Sequence, residues 1–418
     1  MSSVKQADNT TQSYIYEDTS TIHFLTGIVR EDGARFATFS YDTYGRAVST
    51  EHAGGVYKFS VNYPGSSGAS TEVIDPLGTG RKYTYDIAQS NLAVASTDKP
   101  SSTHANGKAS RQQNAYGLLE TDADFLGTQT MYTWDINRRV PLSTTRGAGT
   151  AVAQTTTTTW HPDWRLPVQV AEPGRLTTNV YNGQPDPFNS NAIASCAPGT
   201  ALLSDGKPIA VLCKQVVQAT TDTDGHMGVS ATLQSGVANR ARSWTYNTAG
   251  QVLTIQDPQS NTTSYAYYSD TTVDHTLGDL QAVTNAKGHV TTYSRYNKHG
   301  QVLQSSDPNG VLTVNTYDLR QRLLSSSVGG RTTSYSYDPI GQLLQITAAD
   351  GSWIGYEYDA AHRQVATKDN LGNRIEYTLD NLGHRTAENV KDPAGALARS
   401  LTRNLDALGR VQQITGRE

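Results

Sequence analysis

Six Phe, three Met and two Cys are all that 418 residues contain of those types, and no long apolar run occurs. So few Phe and Met leave little material for a thick hydrocarbon core, and two Cys exclude a disulfide-dense scaffold. Charge is also thin: charged residues are 17% of the chain, the net charge is −4, and Lys and Arg stand singly. No basic stripe marks a nucleic acid partner, and nothing is long and apolar enough to predict a membrane span. The segment from Met1 to Asp32 lacks the apolar heart of a signal peptide, so export, if it occurs, is expected without a classical signal on this chain. GxSxG, HExxH and phosphate-cradling Gly-Lys loops are absent. No enzyme is expected, and no catalytic residue, cofactor or metal is assigned.

What the chain does have is Tyr (23) and Gly (36), set among Thr, Ser, Asn and Asp. Fixing the Tyr that precedes Asp or Asn gives Tyr296, Tyr317, Tyr337 and Tyr358, with Leu379 in the same place, at steps of 20 or 21 residues. Tyr246 opens the same line earlier. A period of this length marks one supersecondary unit repeated in space. Glycines bracket the unit: Gly250, Gly300 and Gly341 follow an anchor by four residues, and Gly310 and Gly330 precede one by seven. Between the brackets Thr333, Tyr335 and Tyr337 alternate with Thr332, Ser334 and Ser336, which predicts a strand with two distinct faces. Asp or Asn then starts a turn, Gly supplies positive φ, and "QLLQI" or "QVLQS" returns as a second strand. "DPLG", "DPNG", "DPQS" and "DPAG" segments close the units.

The array extends backwards through Tyr41, Tyr63, Tyr85, Trp134, Trp160 and Tyr181 with looser spacing. The segments from Ala88 to Arg111 and from Asp135 to Thr155 read as longer loops. The expected organisation is therefore a first array over 1–181, an elaborated insertion loop over 182–245, and the regular array over 246–418. The insertion holds Cys196 and Cys213, which enclose roughly 18 residues; a disulfide there would contribute about 3 kcal/mol, and two thiols in a loop is the alternative.

The segments "YNTAGQVLT", "YNKHGQVLQSSDPNG" and "YDPIGQLLQIT" resemble the YD-repeat proteins of the Rhs (rearrangement hotspot) family, and the resemblance runs along nearly the whole chain. It implies an all-β, repetitive antiparallel β-hairpin array forming a curved or spiralling sheet, part of a hollow shell. In Rhs toxins and related Tc toxin components such a shell encloses a toxic carboxy-terminal domain, and in teneurins a similar shell supports adhesion. The function implied is a non-enzymatic shell segment of an Rhs-type toxin, secreted or delivered to the cell surface. Its partners would be a toxin domain and further shell segments outside this chain, which would make it a fragment or a truncated gene product. The family's self-cleavage residues are not carried over, because "DPAG" at Asp392 to Gly395 is followed by another ordinary repeat.

A second class of function is an adhesion module, with Trp160, Trp164 and Trp353 stacking on sugar rings and open sheet edges self-associating. "HPDW" at His161 to Trp164 and "DTDGHMG" at Asp222 to Gly228 are the densest polar clusters. The second echoes part of a calcium loop but lacks its closing glutamate, so both read as turns. The recurrent Asp42, Asp86, Asp318, Asp338 and Asp359 likewise read as turn caps rather than paired catalytic carboxylates.

Overall fold

A computed structural model of the chain describes residues 2–18, 22–64, 70–88, 91–100 and 107–416. Among these residues thirty-three strands form one antiparallel sheet, and Pro185–Asp186 with Ala192–Ile193 form a separate two-stranded one. Among the described residues the helical structure is two single 3-10 turns, Ala53–Gly55 and Gly228–Ser230. The all-β antiparallel hairpin array expected from the period is the fold observed.

Each hairpin follows from its turn. At Tyr246 the strand Arg240–Tyr246 ends and Asn247 begins the turn. The Asn247 amide donates to the Gln251 carbonyl at 2.9 Å, and the Gly250 amide donates back to Asn247 at 3.1 Å. The Asn247 side-chain Oδ1 accepts the amides of Ala249 and Gln251 at 3.0 and 2.9 Å. One polar side chain thus satisfies the amides that the reversal removes from the ladder. The "DPNG" segment is built alike, with Asp307 Oδ1 accepting from Asn309 and Val311 at 2.9 and 2.8 Å. The pairing register shifts at the anchor itself, between Thr245 and Tyr246, Thr316 and Tyr317, Ser336 and Tyr337, and Glu357 and Tyr358. Each of these anchors therefore sits at a β-bulge, which sharpens the local twist and aims its ring.

Two readings of the sequence are corrected. The segment from Asp135 to Thr155 is not a plain loop, since Val140–Arg146 is a full strand pairing with both neighbours. Pro141 and the lack of a tyrosine hid its alternation. The segment from Ala88 to Arg111 also carries strands, Asn91–Thr97 and the start of Lys108–Gln113, while residues 89–90 and 101–106 lie outside the described part. Within the insertion, Leu212–Ala219 is a strand that pairs with Arg175–Tyr181 on one side and Arg240–Tyr246 on the other.

By their contacts the residues gather into two compact units, one of Met1–Ile87, Leu92–Ala109 and Thr313–Glu418, the other of Ala88–Asn91 and Ser110–Leu312. This division runs along a different line from the repeat-based one, because it groups the first hairpins with the last. In the second unit Ala197, Ala201 and Tyr246 form a buried cluster, with Cys196, Ile209, Val211, Trp244 and Val252 packed on it.

Candidate functional site

The residues singled out from the sequence do not converge on one pocket; they recur along the sheet in one role. The Tyr246 hydroxyl donates to the Leu212 carbonyl at 2.8 Å, Tyr296 to Leu280 at 2.5 Å, Tyr337 to Leu323 at 2.9 Å and Tyr358 to Leu343 at 2.9 Å. Each acceptor is the residue that opens the returning strand of the preceding hairpin, the one its own anchor faces across the bulge: Tyr267 donates to Val252, which pairs with Tyr246. Anchor, bulge and carbonyl thus link these hairpins to their predecessors. Tyr317 sits at the same bulge, facing Leu323.

Burial keeps these phenols protonated. Tyr246, Tyr337 and Tyr358 are all pushed above the ordinary tyrosine range chiefly by desolvation, and Tyr296, 8% exposed, is pushed up to about 12. Each remains a donor under any physiological condition.

On the opposite face, hydroxyls at the position before several anchors pair across the strands. Thr245 meets Thr254 at 2.6 Å, Thr316 meets Ser325 at 2.7 Å, and Thr133 meets Ser143 at 2.7 Å. The two-residue alternation predicted a face opposite the anchors for such side chains; their pairing needs the cross-strand register.

Gly250, Gly300, Gly310, Gly330 and Gly341 all take positive φ, between 77° and 100°. The turn does not depend on Gly, however. Gln321 and His362, four residues after Tyr317 and Tyr358, hold φ of 66° and 64°, and Ser260 of the "DPQS" turn holds 66°.

Trp160 is an anchor in tryptophan form. Its Nε1 donates to the Pro141 carbonyl at 2.7 Å, as Trp134 does to Leu119 at 2.7 Å. Trp353 is half-buried, with its ring against the place a Cβ on Gly355 would take. Trp164 is 37% exposed. His161, 3% exposed, uses Nδ1 to accept the amides of Asp163 and Trp164, the job that Asp or Asn does in other turns. Burial lowers its pKa, which keeps the ring neutral and able to accept.

Cys196 and Cys213 are joined by a disulfide with their Cα atoms 5.4 Å apart. Asp222, Asp224 and His226 place one ligand atom each within 4.8 Å of one another. Asp222, 4% exposed, is already engaged: its two oxygens accept the amides of Gly225 and Met227. The loop it shapes is pressed on the sheet, for Asp222 and Asp224 carbonyls accept the amides of Gly174 and Thr155 at 2.6 and 2.8 Å. A Cβ on Gly225 would lie 1.9 Å from the Thr155 carbonyl oxygen. Packing, more than metal chemistry, accounts for that glycine.

In the later repeats charge crosses the strands. Arg374 holds Glu357 through both terminal nitrogens at 2.8 and 2.7 Å and Glu376 through Nε at 2.9 Å, and Lys391 holds Glu376 at 2.7 Å. The Arg374 guanidinium, with Lys368 behind it, holds Glu357 down to about 2.

Comparison with known proteins matches this architecture. A family model described as Teneurin YD-shell covers residues 275–395. Over 121 residues the chain is 32% identical to double-stranded DNA deaminase toxin A of Burkholderia cenocepacia (strain H111), covering 28% of this chain and 8% of that protein. Among solved structures, TcdB2-TccC3 without its hypervariable C-terminal region is similar at a TM-score of 0.56, with 13% identity over 98% of this chain and 23% of that one. The TcdB2-TccC3-Cdc42 complex is similar at 0.55, with 12% identity over 96% and 22%. This chain spans less than a quarter of each of those solved chains, and at such identity the likeness is one of fold.

Proposed function

We propose that this chain is an Rhs/YD-type shell protein and serves as a non-catalytic segment of a shell wall that encloses a toxin domain lying outside these residues, a reading supported by the family model over residues 275–395, the toxin relative and the likeness of fold. The observation that carries this reading is the anchor linkage: hairpin after hairpin uses its polar groups on its neighbours and turns, leaving a sheet that extends by repetition. Such a wall needs no filled core beneath it, which suits a chain poor in Phe and Met. Further shell segments and a toxin would be its partners, and delivery outside the producing cell its destination, as the curated relative's name as a toxin supports. No helix among the described residues is long and apolar enough to cross a membrane, which says nothing of strands.

Small-angle X-ray scattering with the mass measured in the same run tests the proposal. A wall gives a radius of gyration above the roughly 22 Å expected of a compact globule of this length, with scattering depleted at the centre. A filled particle near that value overturns it. The adhesion reading rests on the exposed ring of Trp164. Saturable glycan binding that Trp164→Ala abolishes would establish it in place of containment.

A further inference from the structure

Within the first compact unit, residues more than 300 positions apart meet at one aromatic stack. Phe36, in the strand Arg35–Tyr41, lies between two histidine rings. His52, at the end of the strand Ala47–His52, has its centroid 4.4 Å from the Phe36 ring and tilted by 39°. His362, in the turn between Trp353–Tyr358 and Gln364–Asp369, stacks on the same ring at 4.5 Å and 13°. Tyr57 meets His52 edge-on at 5.2 Å, and its amide donates to the Asn381 carbonyl at 2.9 Å. The stack therefore fastens the early hairpins to the later repeats.

We propose that the His52–Phe36–His362 stack is a latch that holds this seam while both imidazoles are neutral and releases it when acid protonates them. Neutral imidazoles stack on Phe as ordinary aromatics. A charged one needs water or an acceptor at each nitrogen, and His52 Nδ1 is buried with no hydrogen-bond partner among the described residues. A second charge would then stand across one benzene ring from the first, with the Arg30 guanidinium already 5.6 Å from that ring.

The remaining charged groups around the stack do not reverse this. Asp32, Asp338 and Asp359 favour a charged His362, yet burial and Arg30 outweigh them and its pKa is lowered. Asp338 and Asp359 are fixed by their own turns, accepting Gly341 and Gln342, and Ala361 and Arg363. His52 is lowered by burial and by His362. Nearby, Glu51 pairs with Lys58 at 3.1 Å, Glu31 with Arg320 at 3.0 Å, and His384 with Asp380 at 2.9 Å, while Arg363 lies over Tyr57.

Both histidines thus titrate below the ordinary value of about 6.5 while the seam is closed and return to it when the seam opens. Between those values opening takes up to two protons, so the opening constant rises by up to about 100-fold for each pH unit of acidification. Above the ordinary value the latch contributes fully.

Hydrogen–deuterium exchange on the full chain, corrected for intrinsic rates, reads this directly. Peptides spanning 35–52 and 358–369 are expected to lose protection between neutral and mildly acidic pH, while peptides spanning 290–306 do not. His52→Phe with His362→Asn, Asn being tolerant of the positive φ at that turn, is expected to remove the pH dependence. Seam protection that stays constant with pH, or that still falls in the double variant, overturns the latch. Should that variant fail to fold, NMR titration of the wild-type imidazoles decides the matter: the resonances assigned to His52 and His362 must both titrate below the ordinary value, and a value at or above it for either overturns the proposal. Containment plays no part in these readings, so the latch and the shell function fail separately.

Discussion

The hairpins from Val290 to Thr347 and the segments from Asn182 to Gly236 are stabilised in different ways. In the former, ladder bonds and a turn-capping Asp or Asn recur from hairpin to hairpin, joined by anchor hydroxyls such as that of Tyr337 and by the Thr316–Ser325 pair, and few side chains are buried. The latter breaks the period and builds a small filled core around Ala197, Ala201 and Tyr246, closed by a disulfide and by a loop seated on Thr155. Repeats spread their stability over many modest hydrogen bonds, whereas the insertion concentrates it in close contacts. A comparable lesion should therefore cost more in the insertion than in a repeat.

The sharpest form of that comparison is one substitution made in both places. Gly225→Ala drives a Cβ into the Thr155 carbonyl and must move backbone; we expect a loss of about 3 kcal/mol or more in urea unfolding of that unit. Gly341→Ala, at φ 100°, meets only the flexible Arg322 side chain, so the expected loss is about 1 kcal/mol. Equal losses would erase the distinction.

Reduction, or Cys196→Ser with Cys213→Ser, is expected to lower the stability of the insertion by about 3 kcal/mol. Exchange rates in the repeats after Tyr317 should stay as they were.

Alkali reaches the repeats through their phenols. A tyrosine whose folded pKa is raised gives its full contribution below the unfolded value and loses it as pH climbs through the folded one. Tyr296 alone predicts a loss of about 2 kcal/mol between roughly pH 10 and 12. Following tyrosinate absorbance together with circular dichroism tests this. Ionisation at the free-tyrosine value with no structural change would contradict the buried-donor assignment.

Single anchors come next. Tyr337→Phe keeps the ring and leaves the Leu323 carbonyl without its donor, for an expected loss of about 1 kcal/mol. The smallest effect has the opposite sign. Gln321→Gly relieves a positive φ at the turn after Tyr317 and should raise the melting temperature slightly, because the relief of strain is partly offset by the greater freedom of unfolded Gly.

Much of the turn chemistry was legible because its partners are near in sequence: Asn247 caps residues two and four positions on, and such bonds repeat with the period. The anchors Tyr246, Tyr296, Tyr337 and Tyr358 were legible by position but not by role, since their acceptors lie 14 to 34 residues back. Tryptophan in the anchor place concealed that Trp160 does the same work with an indole N–H. Val140–Arg146 escaped notice because Pro141 masks a strand whose amides pair on both sides. Gln321 and His362 show that the capping Asp, rather than the glycine, dictates the turn.

The sequence alone determined that this protein is an antiparallel array of short hairpins, where the regular ones after Tyr246 turn, and that their anchor tyrosines share one face of a strand, because a period of 20 or 21 residues and an alternation of two are written in neighbouring residues. Only the tertiary structure decided that Phe36 lies between His52 and His362, that Gly225 rests on Thr155, and that the first and last hairpins share one compact unit. Those contacts depend on twist and bulges accumulated over many strands, and an accumulated angle leaves no mark at any single position in the chain.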